Sequence, residues 1–232
     1  MTFNDLKLYN NIQQALEEEG YTNPTPIQEQ AIPAIIKRKD VLGIAQTGSG
    51  KTAAYVLPIL MNLQKKELSK NRFIDVLVLV PTRELAVQVR EVFYMFSLAL
   101  PERIKSMAVY GGVSINPQMM GLQGVNILVA TPGRLIELVE SNALKLSAVD
   151  TLVLDEADKM LDLGFQDEVN KILKLLPTRR QNLLFSATLS DNVNEINQMI
   201  LHEPLVIKIE EEKLNIDLIT QTAYSVSDEK KG

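Results

Sequence analysis

An eight-residue stretch, residues 45–52, constrains the fold of this chain more than any other part of the sequence. It reads Ala-Gln-Thr-Gly-Ser-Gly-Lys-Thr, it follows the apolar run 41–44, and it leads into the helix-forming run 53–57. A strand, a glycine-containing loop and a helix start, in this order, direct backbone N–H groups and the positive end of a helix dipole towards a phosphate. The stretch therefore predicts a phosphate-binding loop in an α/β fold.

The individual residues of the loop suit this chemistry. Gly48 and Gly50 allow the backbone to approach phosphate oxygens, Lys51 is expected to reach the β- and γ-phosphates, and Thr52 is a candidate Mg²⁺ ligand. The first glycine of the usual loop pattern is replaced by Ala45, so an ordinary tight turn with a Gly-Ser hinge is the alternative interpretation. The candidate nucleotide-binding residues of the loop are Gln46, Thr47, Gly48, Ser49, Gly50, Lys51 and Thr52.

A phosphate-binding loop needs an acidic partner that holds Mg²⁺ beside the phosphates. The apolar run 151–154 is followed by Asp155 and Glu156. Asp155 is the candidate Mg²⁺ ligand, acting through water, and Glu156 is placed to orient or deprotonate an attacking water. Two acids at a helix N-terminus are the alternative interpretation. The candidate catalytic residues are Lys51, Asp155 and Glu156.

Length and composition indicate one large globular unit. The chain has 232 residues, of which 46% are hydrophobic and 23% charged, and it has no cysteine. We therefore expect a packed core, no disulfide scaffold and an intracellular location without a signal peptide or membrane span. The formal net charge is −5, so contact with a nucleic acid would have to be local.

Helical and strand patterns alternate along the chain. Helices are predicted at residues 5–19, with Asn4 as N-cap, at 26 to about 37, and at 83–97; strands are predicted at 75–80, 104–110, 126–130, 150–154, 182–185 and 205–209. Such repeated βα units predict a mostly parallel, doubly wound sheet with helices on both faces. The basic triplet 37–39 is interpreted as cations at a helix C-terminus, with an RNA contact as the alternative. The lysines of 65–70 are interpreted as a solvated helix end and loop, and His202 as a surface or capping residue.

Three short motifs follow predicted strands. They are Pro81-Thr82-Arg83, Thr131-Pro132-Gly133-Arg134 and Ser186-Ala187-Thr188. Ligands bind at the carboxyl ends of the strands in open α/β sheets, and a capped helix N-terminus with a nearby arginine can bind phosphate. Each motif alone is weak evidence, because ordinary helix capping explains the first two.

Taken in order, these segments resemble the motifs of the bacterial-type DEAD-box ATP-dependent RNA helicases. Residues 20–28, with the upstream aromatic Phe3, resemble the Q motif of that family. The remaining matches are residues 45–52, where alanine is common at the first position, 81–86, 111–112, 131–134, 155–158 and 186–188. The resemblance covers residues 3–207 and implies a RecA-like P-loop NTPase domain.

The resemblance also implies a nucleotide and its contacts. Gln28 would bind the edge of adenine, Phe3 would stack on its ring, and Thr25 and Tyr21 belong to the same nucleotide-binding region. The cofactors implied are ATP and Mg²⁺. The activity implied is RNA-dependent ATP hydrolysis that unwinds or remodels short RNA duplexes.

RNA and a second domain are the partners that the resemblance implies. The RNA-binding candidates are Pro81, Thr82, Arg83, Gly111, Gly112, Thr131, Pro132, Gly133 and Arg134, which would hold the sugar-phosphate backbone of single-stranded or short duplex RNA without reading its sequence. Asp158, Ser186 and Thr188 would couple the hydrolytic acids to the RNA side. Proteins of RNA decay or ribosome assembly are further implied partners, and the implied location is the cytoplasm.

The domain division is predicted at residue 208. Residues 1–207 form the ATP-binding domain, and residues 208–232 form a linker, containing the charge run 210–212, followed by the start of a truncated second RecA-like domain with a strand at 220–226. The chain alone is then expected to bind nucleotide and hydrolyse it slowly. A P-loop nucleotide kinase and a non-catalytic RNA- or protein-binding module are the alternatives.

Overall fold

The computed structural model describes residues 1–209. After a 3₁₀ helix at Phe3–Leu6, its helices are α1 (Asn10–Glu18), α2 (Pro26–Ile36), α3 (Lys51–Leu63), α4 (Arg83–Ser97), α5 (Ile115–Gly121), α6 (Pro132–Glu140), α7 (Ala157–Asp162), α8 (Gln166–Leu175) and α9 (Asp191–Ile200). Its strands are β1 (Val41–Ile44), β2 (Val76–Leu79), β3 (Ser106–Val109), β4 (Ile127–Ala130), β5 (Thr151–Leu154), β6 (Gln181–Ser186) and β7 (Leu205–Lys208).

The seven strands form one parallel sheet in the order β3-β4-β2-β5-β6-β1-β7. All strands point the same way, so their carboxyl ends lie along one edge. The phosphate loop follows β1, the acids follow β5, and the three short motifs follow β2, β4 and β6. The sheet thereby brings together segments that are far apart in sequence, and this confirms the predicted α/β fold.

Two hydrophobic clusters cover the two faces of the sheet. Along β2, Val76 and Val78 belong to the cluster that includes residues of α1 to α4, whereas Leu77 and Leu79 belong to the cluster with α6 to α9. Both sets of side chains are buried. The central strands are apolar throughout because each face is covered by helices.

Most predicted elements are present, with strand ends shifted by one or two residues, and α4 has the predicted bounds. The single helix predicted at residues 5–19 is wrong. Lys7 has a φ of 56°, in the left-handed region, and separates the 3₁₀ helix from α1. Leu8 is buried immediately after this break, so tertiary packing decides the conformation here. The charge run 210–212 and the strand predicted at 220–226 lie outside the described residues.

An ion-pair network ties the amino ends of two strands together. Lys66 Nζ lies 2.7 Å from an oxygen of Asp75 and 2.7 Å from an oxygen of Asp150. Arg38 donates to the Thr151 hydroxyl at 2.9 Å and to the Asp150 carbonyl at 2.8 Å. The prediction of a solvated lysine run is therefore wrong at Lys66, and Arg38 is a structural contact. His202 is exposed, as predicted.

Candidate active site

A cavity of about 390 Å³ lies at the carboxyl edge of the sheet. It brings together the phosphate loop, the two acids after β5, the glutamine of the Q-like motif and part of α4. Its lining residues are Tyr21, Gln28, Thr47, Gly48, Gly50, Lys51, Thr52, Ala53, Leu85, Gln88, Val89, Val92, Asp155 and Glu156. Most of the predicted nucleotide and catalytic residues therefore line one space.

The phosphate loop depends on two glycines and is fastened to Gln28. Gly48 and Gly50 have φ values of 85° and 90°, which only glycine adopts without strain. Gln28 Nε2 donates to the Gly50 carbonyl at 3.1 Å, and Gln28 Oε1 accepts from the Thr25 backbone N–H at 3.0 Å. A Cβ at Gly50 would lie 2.5 Å from Gln28 Nε2 and 2.9 Å from Thr25 Oγ1. The base-recognition candidates and the loop therefore form one packed unit.

Lys51 is buried within the loop that it follows. Its ammonium donates to the Ala45 carbonyl at 2.6 Å, and the Ala45 N–H in turn donates to the Ser186 carbonyl at 3.0 Å. Lys51 is the first residue of α3, so its backbone also lies at the positive end of a helix dipole. A charged donor and a helix N-terminus thus face the same cavity.

Asp155 is buried beside the phosphate loop. Its carboxylate accepts from the Tyr55 hydroxyl at 2.8 Å and from the Glu156 N–H at 2.9 Å. Burial raises the pKa of Asp155, and the Tyr55 hydrogen bond and the Lys51 charge offset part of that effect. Tyr55 itself has a pKa well above its usual value, first because it is buried and then because it faces Asp155.

Sequence motifs do not reveal Tyr55. It lies three residues after Thr52 on α3, and that spacing places the two residues on neighbouring positions of one helix face. The helical spacing was the available signal, but it does not specify the partner across the sheet. Tyr55 is a positioning residue for Asp155, because its hydroxyl fixes the orientation of the carboxylate.

Glu156 has an unusual backbone conformation. Its φ is 52°, in the left-handed region, and it caps the start of α7. Its carboxylate lies 3.5 Å from the Thr47 hydroxyl and 3.1 Å from Lys159 Nζ. The strained backbone and the hydroxyl across the cavity hold this carboxylate next to the phosphate loop.

The residues present fit a Mg²⁺ ion that is shared with a phosphate. The Thr52 hydroxyl and the Asp155 carboxylate supply oxygen ligands in the same cavity. Within residues 1–209, no cluster of three or more acidic, histidine or cysteine side chains could hold a metal ion. Mg²⁺ commonly binds through one or two protein ligands plus water and substrate phosphate, so this small ligand set suits it.

Asp158 connects the acids after β5 to the segment after β6. Its carboxylate accepts from the backbone N–H groups of Ala187 and Thr188, at 3.1 and 2.9 Å, and from the Thr188 hydroxyl at 3.1 Å. The Ser186 hydroxyl accepts from the Asp158 N–H at 3.3 Å. Burial raises the pKa of Asp158, but hydrogen bonds from the Lys159 N–H, Ser186 and Thr188 outweigh it, so the pKa is lowered.

Phe3 lies in a neighbouring pocket. It is 6% exposed, it belongs to the hydrophobic core, and with Tyr21 it lines a separate cavity of about 190 Å³. Tyr21 lines both cavities and packs edge-on against Phe96, with ring centroids 5.9 Å apart. Tyr21 is therefore next to the larger cavity, whereas the stacking of Phe3 on a base stays a prediction.

Three of the candidate RNA-binding residues after β2 and β3, namely Arg83, Gly111 and Gly112, lie at the surface, and Thr82 is half-buried. Arg83 is exposed, and its guanidinium carbon lies 5.3 Å from the centre of the Tyr110 ring. The Thr82 hydroxyl caps α4 by accepting from the Leu85 N–H at 3.2 Å. Gly111 and Gly112 are exposed, with no atom within 4 Å of a Cβ placed on either residue. Pro81 is buried.

The residues after β4 are more enclosed. Thr131, Pro132 and Arg134 are buried and Gly133 is half-buried. Arg134 donates through Nε to Glu137 at 2.9 Å and through Nη2 to the Val113 carbonyl at 2.8 Å, and Nη1 has no hydrogen-bond partner within residues 1–209. Arg134 thus holds the loop that carries the two glycines.

Gln118 holds the same loop from α5, and no motif pointed to it. Its side-chain oxygen accepts from the Tyr110 N–H at 3.0 Å, and its side-chain nitrogen donates to the Tyr110 carbonyl at 3.2 Å. Gln118 and Arg134 therefore fix the two ends of residues 110–113. A polar residue on a short helix is too common a feature to be singled out from sequence.

Fold and site together define a RecA-like P-loop nucleotide-binding domain. The model of the DEAD/DEAH box helicase family matches residues 25–196. The chain belongs to that family.

Known proteins support this membership. A DEAD-box ATP-dependent RNA helicase CshA of Streptococcus pneumoniae is 42% identical over 232 residues, which are 100% of this chain and 43% of that protein. A probable ATP-dependent RNA helicase ddx27 of Dictyostelium discoideum is 44% identical over 211 residues, 90% of this chain and 27% of that protein. The chain therefore spans less than half the length of either of these relatives.

A solved structure supports the fold as well. The crystal structure of a DEAD box protein from Methanococcus jannaschii superposes with a TM-score of 0.82 at 36% sequence identity, and the match covers 90% of this chain and 56% of that one. Among residues 1–209, no helix combines the length and apolar character needed to cross a membrane.

Proposed function

We propose that this chain is the ATP-binding domain of an ATP-dependent RNA helicase. The observation that carries the proposal is the shared cavity in which Lys51, Thr52, Asp155 and Glu156 meet Gln28. The chain would bind ATP with Mg²⁺, hydrolyse it in response to RNA, and remodel short RNA duplexes in the cytoplasm. Its named relatives are ATP-dependent RNA helicases, in agreement with this activity.

The side chains divide the hydrolytic work. Lys51 and the N-terminus of α3 would bind the β- and γ-phosphates, and Gln28 would form hydrogen bonds with the edge of adenine. Mg²⁺, held through Thr52 and Asp155, would neutralise charge on the phosphates. Glu156, fixed beside Thr47 at 3.5 Å, would orient the attacking water and accept its proton.

RNA would bind at the groups that follow β2 and β3 at the carboxyl edge of the sheet. Arg83, Thr82 and the two glycines after β3 would contact sugar and phosphate, because they present a cation, a helix N-terminus and an open backbone. Asp158 would couple the two acids to the RNA side of the domain through the segment 186–188, with which its carboxylate is directly hydrogen-bonded. Such contacts bind backbone and not base edges, so we expect no sequence specificity.

We also propose that hydrolysis needs a second RecA-like domain. In related phosphoryl-transfer enzymes, an arginine supplied from another domain or partner increases the rate by about 10³–10⁵. Residues 1–207 would form the first domain, and residues 208–232 the link to the second. Proteins of RNA decay or ribosome assembly would be further partners of the whole protein.

The alternatives have less support. A nucleotide kinase would place its acceptor against the γ-phosphate, yet Glu156 beside Asp155 favours water as the nucleophile. A non-catalytic module would not need the Lys51, Thr52 and Asp155 set to be intact.

A phosphate-release assay tests the proposal. The 232-residue chain should bind ADP and ATP with Mg²⁺ but release phosphate slowly, with or without a single-stranded RNA. Fusing it to the second RecA-like domain of a relative should give RNA-stimulated release, which Glu156→Gln should abolish. Strong RNA-stimulated turnover by the chain alone would refute the need for a second domain, and failure to bind nucleotide would refute the function.

A further inference from the structure

One wall of the nucleotide cavity comes from residues outside every motif assigned to the nucleotide. Gln88, Val89 and Val92 of α4 line the same cavity as the phosphate loop and the two acids. Val89 is buried and Gln88 is exposed. The wall is thus apolar with one amide at its rim.

The two ends of α4 lie near different parts of the nucleotide cavity. Strand β2, which precedes α4, pairs with β5, and the Asp155 N–H donates to the Leu79 carbonyl at 3.0 Å. Strand β2 therefore ends beside Asp155, and α4 begins shortly after it, at Arg83. Further along the same helix, Phe96 packs against Tyr21 at 5.9 Å between ring centroids.

Gln88 lies between these two ends. At a rise of about 1.5 Å per residue, it is about 7 Å along the helix from Arg83 and about 12 Å from Phe96. In the proposed function the phosphates would bind at Lys51 and the base beside Gln28 and Tyr21, all of which line the cavity. The sugar of a nucleotide joins these groups, so it would lie in the same cavity, along the wall in which Gln88 supplies an amide.

We propose that Gln88 hydrogen-bonds the ribose hydroxyls of the bound nucleotide, with Val89 and Val92 forming the apolar surface beside the sugar. A glutamine amide both donates and accepts, as does each ribose hydroxyl, so the two groups are chemically matched. The proposal rests on the proposed nucleotide-binding function and adds a sugar contact to it. It makes α4 part of the recognition of ribonucleotides.

The test is a comparison of two nucleotides on two proteins. Calorimetric titration gives the Kd of the 232-residue chain and of its Gln88→Ala variant for ADP and for 2′,3′-dideoxy-ADP, both with Mg²⁺. The unsubstituted chain should bind ADP about five- to tenfold more tightly than the dideoxy nucleotide, the size expected for one or two neutral hydrogen bonds. The variant should lose that preference and bind dideoxy-ADP as the unsubstituted chain does.

The controls separate a sugar contact from a structural effect. Gln198→Ala removes the same amide from an exposed position of α9 and should leave both Kd values unchanged. Circular dichroism melting should show that Gln88→Ala folds normally. If the variant still prefers ADP over dideoxy-ADP, or if its affinity for both nucleotides falls equally, the inference is overturned. Absence of ADP binding by the unsubstituted chain would instead refute the nucleotide-binding function itself.

Discussion

The two edges of the sheet treat buried charge in opposite ways. At the amino edge, Asp75 is fully buried, and it accepts from Lys66 at 2.7 Å, from the Ser69 hydroxyl at 2.9 Å and from Asn126 at 3.1 Å. At the carboxyl edge, Asp155 is equally enclosed but has no ion-pair partner within residues 1–209, and the nearby Lys51 donates to a backbone carbonyl instead. The buried Asp75 thus has a cationic partner, whereas the buried Asp155 and Lys51 line a cavity and form no ion pair within residues 1–209.

This difference separates stability from function. Breaking a buried ion pair is costly, because removing one partner leaves the other charge buried without a counter-ion. A buried charge without a counter-ion lowers stability but is ready for a ligand of opposite sign. The amino edge therefore stabilises the sheet, whereas the carboxyl edge has the buried charges that the proposed nucleotide and metal ion would need. Changes at the two edges should have separable effects.

The largest expected effect on stability is at the amino edge. Lys66→Met keeps the apolar stem but removes the cation shared by Asp75 and Asp150, so it should lower the free energy of unfolding by about 3 kcal/mol. Urea denaturation at pH 7 measures the loss. Affinity for ADP should not change, because Lys66 lies at the opposite edge from the nucleotide cavity.

Lys70→Met is the matched control. Lys70 lies in the same loop, but its side chain is 80% exposed, and its one ion pair in the part of the chain that the structure describes is with the exposed Glu67. Exposed ion pairs contribute about 0–1 kcal/mol, so this variant should unfold almost as the unsubstituted chain does. Equal losses in the two variants would show that the buried network does not stabilise the amino edge more than ordinary surface charge.

The same contrast explains what sequence could and could not predict. The carboxyl edge was largely predictable, because a phosphate loop and paired acids after apolar strands are chemically specific patterns, and parallel strands bring them to one edge. The network at the amino edge was not predictable. Lys66 looks like any lysine of a charged loop, and only the pairing of β2 with β5 brings Asp75 and Asp150 to it.

Local backbone conformation was the other feature that could not be predicted from the sequence. Residues 5–19 have a helical pattern, yet Lys7 takes a left-handed φ of 56° because the chain turns there to bury Leu8. Tyr55 and Gln118 were missed for a related reason, since their partners, Asp155 and Tyr110, come from other elements. Periodicity identifies the buried face of a helix but not the group that each side chain meets.

At the carboxyl edge we expect the opposite pattern: a loss of nucleotide affinity with little loss of stability. Lys51→Met should weaken binding of ADP with Mg²⁺ about 100-fold, equivalent to about 2.7 kcal/mol, because charge-assisted contacts to phosphate are lost. The unfolding free energy should change little, since within residues 1–209 the Lys51 ammonium forms no ion pair and donates to a neutral carbonyl at 2.6 Å. Titration calorimetry and urea denaturation measure the two quantities. Lys66→Met is the control for affinity, and a Lys51→Met variant that binds ADP normally would contradict the assignment of the cavity.

The smallest expected effect concerns Asp158. It lies at the carboxyl edge, but its carboxylate accepts several hydrogen bonds, as that of Asp75 does at the amino edge. Asp158→Asn should cost about 1–2 kcal/mol at pH 7, because an amide cannot accept all the donors of residues 187–188. The lowered pKa of Asp158 in the folded state fixes the pH dependence. The ionised carboxylate stabilises the fold above its usual pKa of 3.8, and this contribution disappears as pH falls through the lower folded pKa.

The difference in unfolding free energy between Asp158→Asn and the unsubstituted chain should therefore be constant from pH 7 to about 5 and shrink below pH 4. Urea denaturation at each pH measures it, with the exposed Asp162→Asn on the same helix as control. Because general acid unfolding affects both proteins, only their difference reports on Asp158. A difference that stays constant to pH 3 would mean that the shape of the hydrogen-bond network, and not the charge of the carboxylate, joins the acids to the segment after β6.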